Sequence, residues 1–333
     1  LSLYDLSGKC AAFLVERFRF TSIGCLTICG AERSAESMEE KVYIIVLNYI
    51  NYEDTIKCLD SLQMLLYPSY QIILVDNASP NESVYALRTY MTSEEKSNIV
   101  FLPLQKNLGY AGGNNQGLTY ALQCGDMRYC WILNNDTVVT PDALTHMVHE
   151  MQRDRTIGLC GSKLIYDWDR TQLQGYGGFY NKWLATTRPC LKREEIPQID
   201  YVIGASVLVS TEFLQQIGLM SEDYFLFFEE LDWRRRAQGI FRISCAPDSV
   251  VYHKEGGSAG SSMYKEKSEL SDYFSLRNRI LFTRKFFFCC LPTVYFSLLL
   301  AVLNRLRRKQ YHRAVFILKL LVGIGVRKYE DLL

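Results

Sequence analysis

From residue 42 onward the chain alternates unbroken apolar runs with stretches where apolar residues recur every three or four positions. Residues 42–47 are continuously apolar, as expected of a strand buried on both faces. Ile56, Leu59, Leu62 and Leu66 follow at helical spacing. The same alternation predicts strands at 71–75, 99–102 and 129–133, with helices at 83–90 and 111–123 between them. Pro141 suits the first turn of a further helix running to about Met151. Strand alternating with helix in this way predicts an α/β fold with a mostly parallel central sheet and helices on both faces.

Sheets of that kind bind ligands at the carboxyl ends of their strands. The notable polar residues fall there: Asn48 after the first strand, Asp76 after the second, and Asn134, Asn135 and Asp136 after the fourth.

From about Gly158 the pattern is less regular. Strand-like runs at 201–209, 241–245 and 250–252 flank a Gly- and Tyr-rich loop at 174–180, and 225–236 passes from aromatic to acidic to basic, as at a helix start. Beyond Tyr264 the chain turns helical, and residues 286–303 carry no charge, with Arg284 and Lys285 before them and Arg305, Arg307, Arg308 and Lys309 after. That run is just long enough to cross a bilayer and contains Pro292. A second apolar stretch, 314–326, holds Lys319. Basic flanks suit an anionic membrane surface, so residues 285–333 are expected to make membrane contact in preference to packing or homodimerisation alone. The expected location is cytoplasmic, peripheral on the cytoplasmic face of the cell membrane.

With 333 residues, 48% hydrophobic and 22% charged, the chain has room for one large domain and an appendage. A net charge of +1 gives no pull toward nucleic acid. The 11 cysteines are scattered without a Cys-x-x-Cys pair, which fits buried reduced thiols. Residues 1–37 show no clean period, and Glu16, Arg17 and Arg19 interrupt the one candidate secretory stretch. Residues 1–38 are therefore expected to be an unstructured extension, with Met38 near the natural start, followed by a catalytic domain at 39–284.

Five segments carry chemistry. In the run from Trp131 to Thr137 a buried strand ends in Asn134, Asn135 and Asp136. A hard divalent cation wants such oxygen ligands beside substrate phosphates, though the same residues also suit a plain turn. Asp76, followed by Asn77 and Ser79, either accepts hydrogen bonds from a nucleotide or closes an Asx-turn. The segment from Asn107 to Gly117 has glycines that admit a close backbone approach, but its spacing is not that of a dinucleotide fingerprint. Glu229, Glu230 and Asp232 cluster after an aromatic run; they raise one another's proton affinity, as a general base needs, or simply complement a helix dipole. His253, at a strand end before a Gly pair, is either a metal ligand or structural.

In this order the segments resemble the large inverting glycosyltransferase family numbered two, on the GT-A fold, and its rhamnosyltransferase-like branch in particular. The resemblance runs from about Glu40 to Arg284. It implies that Leu47, Asn48 and Tyr49 line the base site, that Asp76 and Asn77 contact base or ribose, and that Asn107, Gly109, Gly113, Asn114 and Asn115 pack against the nucleotide. The family's Asp-x-Asp corresponds to Asn134-Asn135-Asp136, which leaves Asp136 as the carboxylate ligand, with His253 completing a Mg²⁺ or Mn²⁺ site. Gly204 and Ala205 match a loop near donor sugar and acceptor. The family's acidic pair, more often Glu-Asp, falls on Glu229-Glu230, so the implied base is Glu230, then Glu229, then Asp232. The implied partners are a dTDP- or UDP-sugar and a glycan or lipid-linked acceptor in surface polysaccharide or lipid-linked glycan assembly.

Two alternatives remain. A nucleotidyltransferase of similar fold needs a Gly-rich basic loop after the first strand, but residues 48–54 hold no Lys, Arg or Gly. A non-catalytic nucleotide-sugar-binding protein predicts loss of the key carboxylates, yet Asp136 and Glu230 are both present.

Overall fold

The four apolar runs of the first half become β1 (Val42–Asn48), β2 (Tyr70–Asp76), β3 (Ile99–Pro103) and β4 (Tyr129–Asn134) in a computed structural model that describes residues 39–92, 96–255 and 268–323. The expected N-terminal extension lies outside the described residues. Between these strands run α1 (Tyr52–Leu62), α2 (Ser83–Tyr90) and α3 (Gly109–Cys124). The strands lie side by side as β3-β2-β1-β4, all parallel. Ile44 and Val46 pack on one face with Leu59 and Leu62 of α1, while Tyr43 and Ile45 pack on the other with Leu118 of α3. Burial on both faces is why the runs lack polar residues.

Beyond β4 the sheet is mixed, with parallel and antiparallel pairs side by side. The remaining order is β10 (Ser206–Ser210), β6 (Ile157–Tyr166), β11 (Arg242–His253) and β5 (Thr137–Val139), with β7 (Leu173–Gly175) on β6. β10 runs antiparallel to both β4 and β6. The periodicity does not reveal β6, because Gly158, Gly161, Ser162 and Lys163 interrupt its apolar run. Ser162 is satisfied inside the sheet: its hydroxyl lies 2.7 Å from Ser206 Oγ and 3.0 Å from Ser249 Oγ. The runs at 241–245 and 250–252 are one strand whose register shifts between Ala246 and Val250, around Pro247, which has no N–H for the ladder.

Helices α4 (Ala143–Arg153), α5 (Thr211–Ile217) and α6 (Glu229–Arg236) cover the sheet, and β8 (Gly178–Asn181) pairs β9 (Thr186–Pro189) in a separate hairpin. The chain continues into α7 (Glu269–Phe286), α8 (Leu291–Arg307) and α9 (Tyr311–Leu321). α8 buries Val294, Leu298 and Val302 with Ile280 of α7 and Ile317 of α9, and leaves Phe296, Leu299, Leu300 and Leu303 exposed. The 20 residues 288–307 are long and apolar enough to cross a membrane by length and composition, with mean hydropathy 1.6. Every cysteine among the described residues is a free thiol.

Candidate active site

A cleft of about 340 Å³ opens at the carboxyl ends of β1, β2 and β4. Strand pairing assembles one of its walls. β11 runs antiparallel to β5 with His253 opposite Thr137, and the Lys254 N–H donates to the Asp136 carbonyl at 3.0 Å. This register sets His253 Nε2 3.3 Å from Asp136 Oδ1, both side chains nearly buried. His253 Nδ1 lies 2.9 Å from Gln174 Oε1, which fixes the ring. Burial pushes the imidazolium toward losing its proton, but Asp136, with Glu255 beyond it, outweighs burial and the net shift is upward.

Among the described residues no group of three or more His, Cys, Asp or Glu converges. Asp136 and His253 together offer one carboxylate oxygen and one ring nitrogen to a cation. One carboxylate and one imidazole, its far nitrogen held, fit a divalent cation that keeps its other positions for phosphate oxygens and water.

The first turn of α6 forms the facing wall. Phe225, Phe227 and Phe228 all take left-handed φ, at 66°, 70° and 79°, an unfavourable backbone that something must hold. Asn278 of α7 does so: its buried Nδ2 reaches the carbonyls of Tyr224, Leu226 and Phe227 at 3.0, 2.8 and 3.1 Å. The loop delivers Glu229 and Glu230 to the cleft. Burial, then the neighbouring Glu230, holds the Glu229 carboxyl well above the usual carboxylate range. Its Oε1 meets no hydrogen-bond partner among the described residues. Burial also raises Glu230, opposed by the backbone N–H groups of Glu230 and Gly204. Gly204 packs against Glu230, whose carboxylate fills the space that a Cβ at 204 would take.

The third acid is placed differently. Asp232 is fully buried and does not line the cleft; it accepts from Tyr224 Oη at 2.8 Å, Arg236 Nε at 2.7 Å and Lys285 Nζ at 2.6 Å. A carboxylate held by two cations and a phenol is a brace, not a base.

Of the other expected residues, Leu47, Tyr49, Asn77, Asn107, Gly109, Asn134, Asn135, Gly204 and Ala205 line the cleft. Asn48 and Asp76 lie beneath it with no exposed surface. The Asp76 carboxylate closes an Asx-type turn, accepting from Ser79 N–H at 2.9 Å and Ser79 Oγ at 2.7 Å. Gly113 belongs to helix packing, where a Cβ would lie 2.5 Å from Leu47 Cδ1. Asn114 turns back to the Tyr110 carbonyl at 3.0 Å, and Asn115 clamps Met220 through both its amide and its carbonyl. These three do not line the cleft. Sequence reasoning missed Tyr110, Gln174, Phe225 and Phe227 in the lining. The Gly- and Tyr-rich loop beginning at Gln174 was the available signal for one of them.

The family model of glycosyl transferase family 2 matches residues 42–218. The chain is 21% identical over 258 residues to the low-salt glycan biosynthesis hexosyltransferase Agl10 of Haloferax volcanii, covering 76% of this chain and 78% of that protein. It is 24% identical over 209 residues to a poly-beta-1,6-N-acetyl-D-glucosamine synthase of Staphylococcus aureus, covering 61% of this chain and 47% of that protein, so it spans about half that relative's length. Among solved structures it resembles the mannosyltransferase PcManGT of Pyrobaculum calidifontis in complex with GDP-Man and Mn²⁺, with a TM-score of 0.54 at 15% identity over 86% of this chain and 87% of that one. It also resembles GalNAc-T7 with UDP, GalNAc and Mn²⁺, with a TM-score of 0.58 at 16% identity over 75% of this chain and 48% of that one. The structural likenesses show the GT-A fold. The family match spans more than half of the sequence, and the chain belongs to glycosyl transferase family 2.

Proposed function

We propose that this glycosyltransferase moves a sugar from a nucleoside diphosphate donor to a hydroxyl of a glycan or lipid-linked acceptor, with inversion at the anomeric carbon. The observation that carries this is one cleft with a carboxylate–imidazole pair on one wall and a buried acidic pair on the other. dTDP-rhamnose is the first donor to test and UDP-sugars the next. The names of the two relatives, a hexosyltransferase and a polysaccharide synthase, support the reaction class.

Asp136 and His253 would hold Mg²⁺ or Mn²⁺, which supplies positive charge against the departing diphosphate. Tyr49, Asn77 and Asn107 offer polar contacts for the nucleotide from the β1–β2 side. Glu230 takes the proton of the acceptor hydroxyl as that oxygen bonds the anomeric carbon and the bond to diphosphate breaks on the opposite face. Burial that raises its proton affinity makes it a stronger base than an exposed carboxylate. Gly204 and the Asn278-held loop keep it in line. The exposed apolar side of α8 between basic flanks supports a peripheral place on the cytoplasmic membrane face.

The test incubates the full chain and a glycan acceptor with dTDP- and UDP-sugars, measures nucleoside diphosphate release, and reads the product's anomeric configuration by proton NMR. Release with inversion is expected. Retained configuration would overturn the single-displacement reading, and no release with any donor would overturn the donor class.

A further inference from the structure

A second groove, of about 660 Å³, lies between the β8–β9 hairpin, the latter part of α6 and the end of α7. The residues of the catalytic cleft do not line it. Its lining holds four cations, Lys182, Arg188, Arg234 and Arg235, against one acid, Asp200. That acid is already engaged, accepting the Tyr180 N–H at 2.8 Å. Arg188 lies over the Phe179 ring at 3.9 Å and Arg235 over the Phe287 ring at 4.7 Å. Arg234 Nη1 is buried and meets no hydrogen-bond partner among the described residues. A buried guanidinium nitrogen without an acceptor is costly, and phosphate oxygens match the guanidinium fork.

The groove also borders apolar surface. Trp183 stands at its rim, 53% exposed, and its carbonyl accepts from Thr293 Oγ1 of α8 at 2.6 Å. Phe287 lines the groove, the next residue, Phe288, is 70% exposed, and the exposed apolar side of α8 follows. A ligand suited to both features carries phosphates at one end and a hydrocarbon chain at the other. Arg234 stands four residues beyond Glu230 on α6, about 6 Å of helix rise. A head group in the groove therefore sits near enough for an attached sugar to reach the cleft.

We propose that this groove binds the diphosphate of a lipid-linked acceptor, with its hydrocarbon chain running onto α8. Its role as an acceptor site rests on the transfer reading given above; the binding itself does not. The experiment uses the full chain in detergent and measures equilibrium binding of farnesyl diphosphate, with inorganic pyrophosphate, farnesol and phosphatidylglycerol vesicles as separate arms. UDP and dTDP binding are measured in the same preparations. Saturable farnesyl diphosphate binding is expected, tighter than that of pyrophosphate or farnesol. It should weaken about tenfold for each guanidinium removed in Arg188→Ala and Arg235→Ala, and be partly restored by Lys at the same positions, while nucleotide binding stays unchanged. No saturable binding, or undiminished binding by the double Ala protein, would overturn the site. Pyrophosphate binding as tightly as farnesyl diphosphate, or displacement by the vesicles, would overturn its lipid diphosphate specificity. If nucleotides fail to bind while farnesyl diphosphate does, the transfer reading fails and the groove stands.

Discussion

Two polar clusters at the same edge of the sheet are built on opposite principles. Beneath the cleft, Asn48 Nδ2 donates to Asp76 Oδ2 at 2.7 Å, Thr55 Oγ1 donates to Asn48 Oδ1 at 2.7 Å, and Ser79 closes on Asp76. Asn48, Thr55 and Asp76 are fully buried and each member of the circuit has a partner, which makes it a rigid brace. On the facing wall, Glu229 and Glu230 are adjacent acids, both raised by burial, with Glu229 Oε1 unsatisfied among the described residues and three left-handed aromatic residues leading into them. Such a pair persists only because its surroundings over-determine it, which is how proton-transfer sites are held. On the function proposed above, the difference separates residues that position from residues that react, although both kinds are buried polar groups.

Glu230→Gln separates the two clusters most sharply. Turnover should fall about 10²- to 10⁴-fold while nucleotide binding stays near that of the parent. In the parent, turnover should rise with pH through a pKa above the ordinary carboxylate range, because the base works deprotonated. Near-normal turnover in Glu230→Gln with a dead Glu229→Gln would reassign the base.

The brace should fail differently. Asp76→Ala strands the donors of Asn48 and Ser79 and should cost about 1–3 kcal/mol for each group left unsatisfied, read by urea unfolding. Asn48→Ala should cost a similar amount, and the double variant less than the sum. Full additivity would show that the two do not act as one network.

Glu229→Gln tests the unsatisfied wall by its stability. The unfolded acid ionises near its ordinary value, about 4.3, while the folded one holds its proton to higher pH. Between those values the native state binds more protons, so stability falls as pH rises. The Gln variant escapes that loss. Its melting temperature should match the parent near pH 4 and exceed it at pH 8, by about 2–4 °C for each kcal/mol relieved. An equal difference at both pH values would exclude the linkage.

The smallest effect concerns the appended helices. Leu299→Glu with Leu303→Glu places charge on the exposed side of α8 without touching Val294, Leu298 or Val302. Vesicle sedimentation should show lost binding with unchanged nucleotide affinity. Undiminished sedimentation would show that this face is not what binds the membrane.

What the sequence could show divides along the same line. β1 to β4 were readable because each is buried on both faces, so its apolar run is continuous. β6 was not, because serine hydroxyls paired across β10 and β11 let polar residues occupy a central strand. Asp136 and His253 were singled out separately, but their meeting depends on the β5–β11 register, which no spacing encodes. Asn278 gave no signal at all: it sits mid-helix in α7 and acts on a loop some fifty residues earlier.

The proposed role of Asp136 and His253 is to present a divalent cation to a donor diphosphate facing Glu230. The most direct measurement is nucleoside diphosphate release in EDTA and after Mn²⁺ or Mg²⁺ is restored, for the parent and for Asp136→Ala. Release should stop in EDTA and return with the metal in the parent, while folded Asp136→Ala should stay inactive at every metal concentration. Full release in EDTA, or Asp136→Ala activity equal to the parent, would contradict it.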